Sequence, residues 1–159
     1  MRSRQQVLAL FSLLCFSATA AFASGPTLRV GSVSGKAGST VNLPIKYEAG
    51  SIDVSSLQFA LTVPAGVSDV SVVETDAVKA AGKNVTARRN GNTWKIIIFG
   101  MNQDSIKTGE LLKVAAQIAP GTPEGVLKVS LSEAVYTDPK GQSIKGTADK
   151  KPGQITVTK

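Results

Sequence analysis

The chain has 159 residues, with 18 Lys and Arg against 11 Asp and Glu, one cysteine and no histidine. The missing histidine removes both the commonest general base and the commonest transition-metal ligand, and a lone Cys15 permits no disulfide within the chain. After residue 23 the basic residues are scattered, with Arg88-Arg89 and Lys150-Lys151 the only adjacent pairs, so they form neither the stripe nor the aromatic-interleaved platform that nucleic-acid binding needs.

Residues 1–23 read as a secretory signal. Arg2 and Arg4 give a positive start, Val7 to Phe16 an apolar run, and Ala21-Phe22-Ala23 the small-x-small pattern after which cleavage is expected. What remains is 136 residues with 16 basic and 11 acidic side chains, a net charge near +5 and no cysteine. That length supports one hydrophobic core without staples. No later segment is apolar enough to span a bilayer. The expectation is a single domain over residues 24–159, secreted or periplasmic.

Short β-rich runs separated by Gly, Pro, Asn, Asp and Ser follow, the spacing of an all-β sandwich. Thr27 to Val33 is the first strand, ended by the turn Gly35-Lys36-Ala37-Gly38. In Val41 to Tyr47, Val41, Leu43, Ile45 and Tyr47 share a face. Pro44 lies in that strand and cannot donate to a ladder, so the strand is expected at a sheet edge or with that amide facing outward. Leu57, Phe59, Leu61 and Val63 share a face of the third strand, opposite Gln58, Ala60 and Thr62.

Val67 to Val73 is a weaker strand, and Asp76 to Gly82 reads equally as one helical turn or a loop. Val85 to Arg89 and Thr93 to Phe99 form a hairpin about Asn90-Gly91-Asn92, where Asn-Gly tolerates positive φ. Trp94, Ile96 and Ile98 alternate with Lys95, Ile97 and Phe99. Both faces are mostly apolar, which marks a central strand. Gly100 to Gly109 is a polar loop, and the strand after it turns Leu112, Val114, Ala116 and Ile118 inward. Beyond the break at Pro120 to Gly125, Leu127, Val129 and Leu131 alternate with Lys128, Ser130 and Ser132. Asp138-Pro139-Lys140-Gly141 is a turn, and Gln154 to Thr158 closes the chain. About nine strands in two packed antiparallel sheets account for this pattern.

The acids fall almost entirely at strand ends and in turns, where carboxylates are solvated. No segment has the Asp-x-Asp density of a calcium loop, and no carboxylate pair stands out as glycosidase machinery. The reading is a non-enzyme with no metal and no cofactor.

Five segments, in order, resemble the cohesin family: Val30 to Ile45, Ser56 to Pro64, Trp94 to Gly100, Gly109 to Leu112, and the Gly125 to Leu131 strand. Cohesins are receptor modules that capture dockerins in cellulose-degrading assemblies and also occur as solitary domains. The resemblance implies a nine-stranded jelly-roll sandwich, a link to polysaccharide binding and breakdown, and protein binding through one flat sheet face. That face belongs to the third, fifth, sixth and eighth strands. Carried onto this chain, its outward positions are Gln58, Thr62, Thr86, Arg88, Lys95, Ile97, Lys128 and Ser130. The expected partner is a protein, either dockerin-like or a component of an envelope or secretion-related complex. One alternative is a carbohydrate-binding module, with Trp94, Tyr47 and Tyr136 as the aromatics available to stack on sugars; the other is a structural subunit of an envelope or secretion-related complex.

Overall fold

The computed structural model describes residues 24–159, so the expected signal segment and its cleavage site lie outside the described residues. The strands are β1 (Thr27–Val30), β2 (Val33–Lys36), β3 (Thr40–Glu48), β4 (Ser56–Thr62), β5 (Val67–Glu74), β6 (Asn84–Asn90), β7 (Thr93–Phe99), β8 (Gly109–Ile118), β9 (Gly125–Thr137), β10 (Ser143–Ile144), β11 (Thr147–Ala148) and β12 (Gly153–Thr158); one short helix, α1 (Asp76–Ala80), follows β5. They form a two-sheet β-sandwich of jelly-roll type. One sheet runs β11-β1-β3-β8-β5 and the other β2-β12-β9-β4-β7-β6, with β10 paired to β9.

The period-2 pattern accounts for the packing. In β3, Val41, Leu43, Ile45 and Tyr47 are buried while Asn42, Lys46 and Glu48 are exposed. In β8, Leu112, Val114, Ala116 and Ile118 are buried. Across the interior stand Leu57, Phe59 and Leu61 of β4, Ile96 and Ile98 of β7, and Ile155 and Val157 of β12. Each such side chain removed from water contributes roughly 1.5–3 kcal/mol, which makes this shared interior the main source of stability.

Near one end of the interior, Tyr47 and Tyr136 pack with ring centroids 6.4 Å apart. Tyr136 donates its hydroxyl to the Thr147 carbonyl at 2.6 Å, whereas the buried Tyr47 hydroxyl has no partner among the described residues. Burial pushes both phenols well above the usual tyrosine value, with the Asp53 charge adding to the effect on Tyr47.

Four features correct or resolve the sequence expectation. The run Thr27 to Val33 is two strands, since the chain leaves one sheet at Gly31-Ser32 and enters the other: β1 pairs with β3, β2 with β12. Gly31 allows the close pass, because a Cβ there would stand 2.5 Å from Cγ of Pro44.

Secondly, β3 lies between β1 and β8 and is no edge. Pro44 is tolerated because its carbonyl accepts from the Gly31 amide at 2.8 Å where the β1 ladder ends at Val30 opposite Ile45; the missing N–H coincides with the point at which the neighbour departs.

Thirdly, the strand that starts at Gly125 runs on to Thr137, through a bulge at which Gln58 and Ala60 face Val135 and Ser132. Glu133, with φ 52°, sits in that bulge. Finally, Asp76–Ala80 takes the helical alternative, and β10 and β11 follow the Asp138 turn. That turn is held by the Asp138 carboxylate, which accepts from the Lys140 and Gln142 amides at 2.9 and 2.8 Å. The sheets are antiparallel apart from two marginal pairs, β1 with β11 and β2 with β12, which run parallel.

Candidate binding face

β4, β6, β7 and β9, the strands expected to share a face, lie in one sheet in the order β9-β4-β7-β6. Register places the eight candidate residues on its outer side. Gln58 stands opposite Val135 of β9 and Ile97 of β7, and Thr86 lies beyond Ile97 on β6. Two residues along, Ala60 stands opposite Ser132 and Lys95, and Arg88 lies beyond Lys95. In the next row Thr62 lies between Ser130 and Thr93, its hydroxyl 3.2 Å from that of Thr93. Lys128 lies at the far margin, beside Gln154 of β12.

The face has two halves of different chemistry. At one end Ile97, Phe99 and Val135, with Gln58, Ser56 and Thr137, line a shallow groove of about 200 Å³. Phe99 is 43% exposed and Val135 38%, and Met101, just beyond Phe99, is fully exposed. Burying such side chains against a partner is favourable in proportion to their area. In the middle, Arg88 and Lys95 are directly opposed on neighbouring strands, a pairing of like charges that costs stability. Three ion pairs occur among the described residues, Arg29–Glu48, Arg29–Asp149 and Lys159–Glu124, and none involves Arg88, Lys95 or Lys128.

Phe99 and Val135 were missing from the expected set. Phe99 was visible in the alternation that set Lys95, Ile97 and Phe99 on one side of β7. That alternation marked a central strand, and β7 is interior to its sheet; among the described residues no second layer covers its outer side, so the extra apolar residues are half open to water. Val135 carried no such signal. Counting by twos from Leu131 turns it inward, and the bulge at Glu133 reverses the phase so that Tyr136 is buried and Val135 exposed.

Of the aromatics considered for sugar stacking, Tyr47 and Tyr136 are core residues. Trp94 packs against the core, with Arg89 5.8 Å from its ring centroid. Among the described residues no group of three or more Asp, Glu, Cys or His is placed to hold a metal, and no helix is long and apolar enough to cross a membrane.

Residues 26–157 match the Cohesin domain family. The chain is a member of the cohesin family. Cohesins are protein–protein binding modules and catalyse nothing.

Solved cohesins share the fold. The cohesin CaCohA2 of Clostridium acetobutylicum, in its complex with a variant of CaDoc0917, is 22% identical with a TM-score of 0.72, over 84% of this chain and 99% of that one. A non-cellulosomal cohesin from the hyperthermophilic archaeon Archaeoglobus fulgidus is 20% identical with a TM-score of 0.71, over 86% and 93%. The Coh-OlpA–Doc918 type I cohesin–dockerin complex of Clostridium thermocellum gives 11% identity and a TM-score of 0.70, over 85% and 100%. No curated protein sequence matches the chain.

Proposed function

We propose that this cohesin is exported by its N-terminal signal and captures a dockerin-like protein partner on the outer face of the β9-β4-β7-β6 sheet, as part of an assembly acting on polysaccharide. Gln58, Thr62, Thr86, Arg88, Lys95, Ile97, Lys128 and Ser130 form the contact surface, with Phe99 and Val135 added at its apolar end. The observation that carries the reading is the uncovered apolar cluster of Ile97, Phe99 and Val135 next to the opposed cations Arg88 and Lys95. A partner that places apolar side chains in the groove and carboxylates over the cations satisfies both halves. The polysaccharide link then runs through the partner, since Tyr47 and Tyr136 are buried and offer no stacking platform.

Calorimetric titration with type I dockerins tests the reading. Ile97→Asp places an unpaired charge in the apolar centre and is expected to weaken binding by at least about 30-fold, the effect of losing about 2 kcal/mol at a hot spot, with an unchanged circular dichroism spectrum. Undiminished affinity of the variant breaks the assignment of the face. Retarded migration of the protein in gels containing cellulose, xylan or chitin moves the function to direct glycan binding.

A further inference from the structure

Lys83 is the one charged side chain buried among the described residues, at 4% exposure, and the partner face leaves it unused. It follows Gly82 and immediately precedes β6, and it reaches across to the loop leaving β7. Its Nζ lies 2.6 Å from Oδ1 of Asn102 and 3.1 Å from the Asn102 backbone oxygen. The other side of the same carboxamide is also held: Nδ2 of Asn102 donates to the Ala81 carbonyl at 3.0 Å and to Oδ2 of Asp104 at 3.1 Å.

Two glycines permit this approach. A Cβ on Gly82 would stand 2.4 Å from Nδ2 of Asn102, and one on Gly100 would stand 2.8 Å from Cδ of Lys83. Gly82 is also at φ +63°, a conformation that other residues rarely adopt.

Amine, carboxamide and carboxylate thus stand in the order of nucleophile, electrophile and proton carrier. Burial lowers the pKa of Lys83, with the Asp104 charge pulling the other way. An amine attacks in its deprotonated form, and a lowered pKa favours that form.

We propose that Lys83 and Asn102 join in an intramolecular isopeptide bond, with Asp104 as the catalytic proton carrier. The Nζ lone pair adds to Cγ of Asn102 and forms the new C–N bond. The Cγ–Nδ2 bond then breaks, its electron pair remaining on nitrogen, while one proton leaves Nζ through a water to the Asp104 carboxylate, which lies 3.1 Å from Nδ2 and passes a proton on to it. Nδ2 leaves as ammonia, and a secondary amide links the two side chains. Nothing is oxidised or reduced, and no further reactant is consumed.

The position gives the bond a purpose. β6 is the last strand of its sheet, paired only with β7, and the turn at Asn90–Gly91 closes just one end of that hairpin. A link from residue 83 to residue 102 closes the other end, which restricts the open states of the strand that carries Thr86 and Arg88 and so raises the cost of peeling it from the sheet edge. With Cys15 as its only cysteine, the chain has no disulfide to do this.

Intact-mass and peptide-mass spectrometry of the purified protein test the proposal. The protein is expected about 17 Da lighter than the sequence from its observed N-terminus, the mass of one ammonia, with a branched peptide joining the segments around Lys83 and Asn102. Lys83→Met and Asn102→Ala are expected at full sequence mass. Because those variants disturb a buried contact, the exposed Asp104→Ala serves as the second probe; it is expected to fold and to form the bond on the order of 10²-fold more slowly. Full sequence mass in the unsubstituted protein overturns the proposal, as does a loss of ammonia that maps to a succinimide at Asn90–Gly91. Bond formation at an undiminished rate in Asp104→Ala overturns the role of the carboxylate.

Discussion

The outer faces of the two sheets treat charge in opposite ways. On the five-stranded sheet Arg29 lies between Glu48 and Asp149, at 3.6 and 3.4 Å, and Lys46 is in register with Glu110. On the seven-stranded sheet Arg88 is in register with Lys95, and Phe99 and Val135 are open to water beside them. Opposite charges across a strand pair contribute a few tenths of a kcal/mol and like charges oppose folding by a similar amount. The five-stranded face pairs Arg29 internally, although Val73 is 52% exposed on it, whereas the seven-stranded face carries a local like-charge cost that an anionic partner would offset. That asymmetry, more than the presence of any one residue, is the ground on which the partner face is proposed.

Both faces stand on the same interior, so the deepest way to break the comparison is through the core. Phe59 is 1% exposed and sits in β4, which is hydrogen-bonded between β7 and β9. Phe59→Ala is expected to lower the free energy of unfolding by about 3–5 kcal/mol, read from the midpoint of a urea titration. A loss below about 1 kcal/mol would mean that the sheets do not share one packed interior. The same variant is expected to lower the occupancy of the partner face only in proportion to the unfolded fraction.

The charge asymmetry itself is tested by Arg88→Glu, for which stability and binding are expected to move in opposite directions. Placing a carboxylate opposite Lys95 replaces a like-charge pair with an attractive one, so the unfolding midpoint is expected to rise slightly, by about 0.2–1 kcal/mol. Association with an anionic partner is expected to slow about tenfold at low salt, with the difference shrinking as salt is added. A variant that lost both stability and binding would show Arg88 to be a structural residue of β6.

Much of this was legible before any coordinates, for a definite physical reason. Where one side of a strand is buried and the other wet, as in Val41 to Tyr47 or Leu57 to Val63, alternation reports the fold directly. The outward positions follow from the inward ones, while the grouping of the four segments that carry them on one surface was implied by the cohesin resemblance. Alternation is silent where the chain changes phase or partner.

Val30 and Val33 read as one strand because Gly31-Ser32 carries no mark of a change of sheet, and Val135 was hidden by a bulge that only the pairing with β4 reveals. Two-residue strands such as β10 and β11 are too short to have a period. In sequence Lys83 lies just before a strand, between Gly82 and Asn84, where a lysine is ordinarily solvated. Its burial comes from meeting Asn102 across the end of a hairpin, and that contact depends on two glycines whose role is visible only in space.

Arg29 marks the small end of the scale and is the control for the rest. Its side chain is 53% exposed and its partner Glu48 is 58% exposed; water screens such pairs, and exposed ion pairs of this kind contribute about 0–1 kcal/mol. Arg29→Ala is therefore expected to shift the unfolding midpoint by less than about 1 kcal/mol, with the shift vanishing in high salt, and to leave the affinity for a dockerin-like partner unchanged. A drop in affinity comparable to that of Arg88→Glu would place binding on the five-stranded sheet. The face with the more complete charge pairing would then be the one that recognises the partner, and the link between unmatched charge and function drawn for the seven-stranded sheet would fail.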